Sequence, residues 1–126
     1  MDINEIKIGD WFEFSEGRGQ ISLIYGDTVT IGIYQPDIAE LKPMPLTKEI
    51  FEKNGWEVGS LRHPLIDGKT NAEMLQFARK SFVGLLFDRT EKYFSYDFEN
   101  HRFSIRYVHE LQHLLWTLGL DDNLTI

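Results

Sequence analysis

The sequence predicts one α+β domain, with antiparallel strands near both ends of the chain and helices between and after them. Its 126 residues are 42% hydrophobic and 13% aromatic, which is enough apolar surface to bury a core without metals or cross-links. β-Branched and aromatic runs separated by turn residues predict the strands, and helical spacing of apolar residues predicts the helices. We expect a single domain over residues 1–126, with a β segment at 1–46 and an α+β segment at 47–126.

Short strands joined by turns account for the first third of the chain. Apolar residues around Trp11 precede the loop Ser15–Gly19, and β-branched residues are frequent on both sides of the turn Gly26-Asp27. Strands are therefore predicted at Gln20–Tyr25 and Thr28–Tyr34. Short strands that meet in turns favour a small, strongly bent antiparallel sheet.

The run Lys7-Ile8-Gly9-Asp10-Trp11, followed by Gly17-Arg18-Gly19-Gln20-Ile21, resembles SH3-like barrels, in which a Gly-Asp turn starts the first strand. The resemblance implies an SH3-like antiparallel β segment over residues 1–46. Barrels of this kind often carry an aromatic groove for a peptide, which makes Trp11 a candidate interaction residue. A place in the hydrophobic core is the simpler interpretation of Trp11 and its aromatic neighbours.

A first short helix is predicted after Pro45. Thr47 can serve as its N-cap, and Leu46 and Phe51 stand at the two positions of a hydrophobic staple. Asn54-Gly55 then supplies the residues that commonly end a helix. The element is about two turns long.

A second short helix is predicted further along, after an irregular connection over residues 56–69 that leaves room for one short strand. Thr70-Asn71-Ala72-Glu73 has the pattern of a capping box, and apolar residues follow it at helical spacing. We therefore expect a helix over about residues 71–80.

The last part of the chain predicts a three-stranded antiparallel meander and a terminal helix. Strands are expected at Phe82–Phe87, Lys92–Phe98 and Arg102–Tyr107, because turn residues separate them and the middle one alternates polar and apolar positions. The helix should run over roughly Tyr107–Leu118, with its apolar residues on one stripe and Gly119 after its end.

Charge and composition exclude several classes of protein. The net charge is −7, and residues 1–46 contain eight acids against three bases, so electrostatic repulsion disfavours binding to a phosphate backbone. The absence of cysteine excludes disulfide scaffolds, thiolate zinc sites and cysteine nucleophiles. Neither a signal peptide nor an apolar run of ~18 residues occurs, so we expect a soluble, cytoplasmic protein that does not bind membranes.

One motif suggests chemistry: His109-Glu110-Leu111-Gln112-His113 matches the H-E-x-x-H pattern of zinc hydrolases. Two histidines four residues apart on a helix can hold one zinc ion, and the glutamate can act as general base on zinc-bound water. However, a third ligand is lacking at the usual spacing, where Gly119 stands. Helical geometry with Leu111 at the centre of the apolar stripe places His109, His113 and Trp116 on the opposite, outward face.

Two stretches of the sequence resemble a family of short uncharacterised bacterial and prophage proteins. They are Lys42-Pro43-Met44-Pro45-Leu46-Thr47-Lys48-Glu49-Ile50 with Lys53-Asn54-Gly55-Trp56, and Arg106-Tyr107-Val108-His109-Glu110-Leu111-Gln112-His113-Leu114 with Leu118-Gly119. The resemblance implies that position 113 is usually Asn, which cannot complete a two-histidine zinc site. It implies no established activity.

The leading hypothesis is thus a non-enzymatic interaction or accessory protein of a phage or mobile element, which binds a protein partner or forms a homo-oligomer. Its candidate interaction residues are Trp116, His109, His113 and Trp11, with no catalytic residue and no cofactor. The alternative is a zinc-dependent hydrolase with His109 and His113 as ligands and Glu110 as base. A weak nucleic-acid-binding module built on the SH3-like segment is the third hypothesis.

Overall fold

The computed structural model describes residues 3–61, 75–88, 93–98 and 101–126. The chain divides into two compact units. The first, here called the acidic unit, comprises Met1–Pro45 and Tyr107–Leu124, and it contains eleven Asp or Glu residues against three Lys or Arg. The second, here called the meander unit, comprises Leu46–Arg106 and Thr125–Ile126, with nine acidic residues against ten basic ones.

The acidic unit contains a four-stranded antiparallel sheet in the order β3-β2-β1-β4. Its strands are β1 (Trp11–Phe14), β2 (Gly17–Tyr25), β3 (Thr28–Ile31) and β4 (Lys42–Pro43). The antiparallel β segment predicted from the sequence is confirmed. The sheet is open, with β3 and β4 at its edges, so the described strands of this unit do not form a closed barrel.

The core of the acidic unit lies on one face of this sheet. Ile21 pairs with Ile31, and Ile24 pairs with Val29. A bulge between Ile21 and Leu23 keeps both pairs on the inner face, because it shifts the alternation of side chains by one residue. Ile24 is partly buried and packs against a buried cluster that contains the other three side chains and consists of Ile6, Phe12, Ile21, Val29, Ile31 and Leu41.

Helix α2 (Val108–Thr117) completes the acidic unit. The backbone joins it to the end of the N-terminal segment, since Val108 N donates to Met44 O at 2.8 Å and Pro45 pairs with Tyr107 in an isolated bridge. Beyond Thr117 the chain turns at Gly119, whose φ of +74° is the left-handed conformation that ends many helices. The predicted terminal helix is confirmed.

The meander unit contains a five-stranded antiparallel sheet in sequence order, β5-β6-β7-β8-β9. Its strands are β5 (Glu57–Leu61), β6 (Leu75–Lys80), β7 (Val83–Asp88), β8 (Tyr93–Phe98) and β9 (His101–Ile105). The last three are the predicted meander. Helix α1 (Lys48–Lys53) precedes them, and the Thr47 side chain accepts a hydrogen bond from Ile50 N at 3.3 Å, which confirms the predicted cap.

The second predicted helix is wrong for residues 75–80, which form strand β6, while residues 71–74 lie outside the described part of the chain. The sheet explains the difference. Ala78 is fully buried and stands between Val58 of β5 and Leu85 of β7, so backbone hydrogen bonds on both sides outweigh the local helical pattern. The predicted connection over residues 56–69 contains strand β5, and residues 62–69 lie outside the description.

None of the helices in the described residues has the length and the apolar character needed to cross a membrane.

The described elements form an α+β protein with two antiparallel sheets, one short helix before the second sheet and one terminal helix. Every residue of the HELQH motif lies on α2, inside the acidic unit.

Candidate functional site

A buried carboxylate organises the polar side of helix α2. Asp10 lies in the turn that leads into β1, and its side chain is 3% exposed. Its Oδ2 accepts a hydrogen bond from Lys7 N at 2.8 Å and lies 2.6 Å from His113 Nε2. A hydrogen bond to an ionised group in such a buried position is stronger than an ordinary one. Asp10 therefore shapes the turn and holds the imidazole of His113, which stays 27% exposed.

Gln112, the residue before His113, fastens the helix to the start of strand β1. Its Oε1 accepts a hydrogen bond from Trp11 N at 3.0 Å, and its Nε2 donates to Gly9 O at 2.8 Å and to Asp122 O at 3.1 Å. Both donors of the buried amide and one lone pair of its oxygen are thus used on backbone groups. The sequence analysis gave this residue no role. Its only signal is a polar amide between the two histidines, next to the apolar stripe of the helix.

His109 is buried, contrary to the prediction that it points outward. Its ring lies 4.8 Å from Phe12 and stacks at 6.1 Å against Tyr107, measured between ring centroids. Its Nδ1 is enclosed and has no hydrogen-bond partner among the described residues. Burial lowers the pKa of His109 below its usual value, and His113 adds to the effect while the nearby carboxylates, chiefly Asp10, oppose it. The imidazole is accordingly neutral at physiological pH.

Glu110 stabilises the start of the same helix. Its Oε1 accepts a hydrogen bond from Tyr107 N at 3.0 Å, which satisfies a backbone donor just before the first turn. An acidic side chain in the first turn also interacts favourably with the helix dipole. The carboxylate that the zinc hypothesis names as general base is therefore engaged at the helix N-terminus.

The two histidines do not converge in the way the metal hypothesis requires. Their ring centroids are 5.6 Å apart and their planes meet at 80°. Nε2 of His113 faces Asp10, and Nδ1 of His109 is enclosed. Within residues 3–61, 75–88, 93–98 and 101–126, no group of three His, Asp or Glu side chains is placed to hold a metal ion.

The prediction of an outward polar face on α2 is wrong for His109, which is buried, whereas His113 is partly exposed. The reason lies in the acidic unit. Helix α2 is buried on much of its circumference, by its apolar stripe and also by His109 and Gln112. The turn before β1 supplies hydrogen-bond partners for the side of the helix that carries Gln112 and His113. Periodicity within the helix cannot show this, because the partners are about a hundred residues away in the chain.

The two tryptophans of the acidic unit differ sharply. Trp11 is half-buried, and its indole Nε1 donates to Leu124 O at 2.8 Å, so it anchors the C-terminal segment within this unit. Trp116 is 61% exposed on the outer side of α2, as predicted. The Lys7 ammonium lies 3.4 Å from the centroid of the Trp116 ring, in a cation–π contact. Of the predicted interaction residues, Trp116 is the most accessible.

Comparisons of the chain with protein-family models, with curated proteins and with solved structures found no match.

Proposed function

We propose that this chain is a non-enzymatic interaction or accessory protein that binds a protein partner through the exposed part of the acidic unit. The observation that carries the proposal is Trp116, a large aromatic side chain that is 61% exposed on a rigid helix. Tryptophan is the residue most enriched among those that dominate binding energy in protein interfaces. The association with a phage or another mobile element rests on the family resemblance described above.

The polar side chains beside Trp116 support a structural rather than a catalytic role for the HELQH motif. Glu110 bonds to the backbone of the helix N-terminus, Gln112 bonds to the turn before β1, and His113 faces a buried carboxylate. His109 packs between aromatic rings. Each motif residue that could act in hydrolysis thus has a contact that stabilises the fold.

The zinc-dependent hydrolase has less support, since it needs His109 and His113 to turn toward a common ion and Glu110 to leave its cap. Nucleic-acid binding through the N-terminal segment also has less support. The acidic unit carries eleven carboxylates against three basic side chains, and this field repels phosphate groups.

The direct test compares partner capture by the wild-type protein and by Trp116→Ala. We expect affinity purification from cells of the source organism to retain a partner whose amount decreases at least about tenfold in the variant, as for an interface hot spot. Phe82→Ala is the matched control, because Phe82 is an equally exposed aromatic residue of the meander unit, at 63%. Light scattering shows whether the partner is a second copy.

Two results would contradict the proposal. One is retention that is identical for wild type and Trp116→Ala. The other is near-stoichiometric zinc in protein purified without added metal, if it is lost in His113→Asn, because that result would restore the hydrolase.

A further inference from the structure

A second exposed surface of the acidic unit lies on the outer side of the hairpin formed by β2 and β3. Beyond the bulge, Leu23 pairs with Thr30 and Tyr25 pairs with Thr28. The intervening pair, Ile24 and Val29, points to the core, and successive residues of a strand point to opposite faces. The four outer side chains, Leu23, Tyr25, Thr28 and Thr30, are here called the hairpin face.

The hairpin face is apolar and accessible at its centre. Tyr25 is 82% exposed and Leu23 is 54% exposed. They lie two residues apart on the same strand, so their side chains are neighbours on one face. Threonines opposite them add a flat β-branched surface, and no charged residue belongs to the face. Strand β3 is an edge of the sheet, so a ligand can approach from that side as well.

The charge of the surrounding unit identifies the kind of partner. The acidic unit carries an excess of eight carboxylates over Lys and Arg, and Asp27 is exposed in the turn at the tip of the hairpin. The ion pairs Lys48–Glu52, Arg79–Glu57 and Arg102–Asp97 all belong to the meander unit. The unit that carries the hairpin face is therefore negative overall, and Asp27 places one exposed carboxylate between Tyr25 and Thr28 in the chain.

This negative charge disfavours three possible occupants. A second copy would bring two acidic units together, and nucleic acids and anionic membranes carry the same sign of charge. A cationic amphipathic peptide segment fits instead. Its apolar residues can cover Leu23 and Tyr25, an arginine can lie over the Tyr25 ring, and a lysine can reach Asp27.

We propose that the hairpin face binds a Lys- and Arg-rich amphipathic segment of a protein partner. The inference rests on the proposed function, because it names the chemistry of the partner, but it assigns a surface other than Trp116. Apolar contact with Leu23 and Tyr25 supplies the specificity of this site, and the carboxylates of the acidic unit supply the attraction.

The test measures, by fluorescence anisotropy, the affinity of the full chain for three labelled peptides of equal length. The first alternates Leu with Lys or Arg, the second has Ser in place of Leu, and the third has Glu in place of the basic residues. We expect the first to bind, the second to bind at least tenfold more weakly, and the third not to bind. Binding of the first should weaken several-fold between about 50 and 150 mM salt, which is the response expected of a few ion pairs.

Variants of the protein locate the site. Tyr25→Ser should lower the affinity for the first peptide at least tenfold, and Asp27→Asn should lower it about twofold to fivefold. Phe82→Ser, which removes an exposed aromatic residue of the meander unit, should leave it unchanged. Tyr25 is so exposed that its replacement should not affect folding, which circular dichroism verifies. Leu23→Ser is a second test of the same face and should also lower the affinity for the first peptide.

The proposal is overturned if Tyr25→Ser binds like the wild type, if Phe82→Ser weakens binding equally, or if the Ser peptide binds as tightly as the Leu peptide. Dimerisation that Tyr25→Ser abolishes would also overturn it, by assigning the face to a second copy. These failures can be separated from failure of the proposed function. If only the assignment of the hairpin face is wrong, Trp116→Ala still reduces partner capture, whereas Tyr25→Ser does not.

Discussion

The two units of this protein have antiparallel sheets of similar size but are stabilised by contacts of different range. In the meander unit each strand pairs with the next along the chain, so the sheet is made of local hairpins. In the acidic unit the key polar contacts join the turn before β1 to helix α2, across about a hundred residues of sequence. A buried polar residue far away in sequence can thus decide the orientation of a helix.

Charge separates the units as well. The meander unit is nearly neutral, and its ion pairs lie on the surface, where each stabilises by at most about 1 kcal/mol. The acidic unit instead buries one carboxylate, Asp10, in contact with an imidazole and a backbone amide. We therefore expect polar substitutions to have large effects in the acidic unit and small effects in the meander unit.

The largest effect is expected for Gln112→Leu. The substitution leaves Trp11 N and Asp122 O without their hydrogen-bond partner at a part-buried site, whereas Gly9 O keeps its hydrogen bond from Gln20 Nε2. Each unsatisfied group costs about 1–3 kcal/mol, and we expect a total loss of about 2–4 kcal/mol in the free energy of unfolding. Urea unfolding measures it, and Gln35→Leu at an exposed position of the same unit is the control. A loss below about 1 kcal/mol would mean that the amide does not hold the helix.

An intermediate effect is expected for Asp10→Asn, and the paired substitution Asp97→Asn tests the comparison directly. Asp10 is buried against His113, so removal of its charge should cost about 1–3 kcal/mol. Asp97 forms an ion pair with Arg102 in which both side chains are more than half exposed, so its replacement should cost about 0–1 kcal/mol. Amide hydrogen exchange reports the stability of each unit separately. Equal losses from the two substitutions would remove the distinction between the units.

The smallest effect is a dependence of stability on pH. Burial lowers the pKa of His109 in the folded protein, whereas the unfolded chain takes up a proton near pH 6.5. The unfolded state thus binds more protons below that pH. The free energy of unfolding should therefore decrease as pH falls below about 6.5, by less than about 1.4 kcal/mol per pH unit from this residue, and His109 should contribute nothing above it.

Thermal unfolding between pH 7.5 and 5.5 measures this dependence. His109→Phe, which keeps an aromatic ring against Phe12, should reduce it. His101→Phe should not, because His101 is exposed on strand β9 of the meander unit. An unchanged pH profile in His109→Phe would show that the buried imidazole is not the source.

Local signals predicted the elements that local interactions form. Thr47 marked the start of α1, Gly119 marked the end of α2, and turn residues separated the last three strands. The prediction failed at β6, where Ala78 fits either a helix or the centre of a sheet and the flanking strands decide. The same limit applied to the site. His109 and His113 were recognised as unusual, but their partners Phe12 and Asp10 are distant in sequence.

By itself the sequence determined the α+β class, the ends of both helices and the strands of the meander, because caps, turns and periodicity act within a few residues. Only the tertiary structure decided that His109 is buried, that His113 meets Asp10 and that Gln112 binds the turn before β1. It also joined Glu110, Asp121 and Asp122 to the eight acidic residues of the N-terminal segment. Contacts between distant segments follow from packing of the whole unit, and no local pattern encodes them.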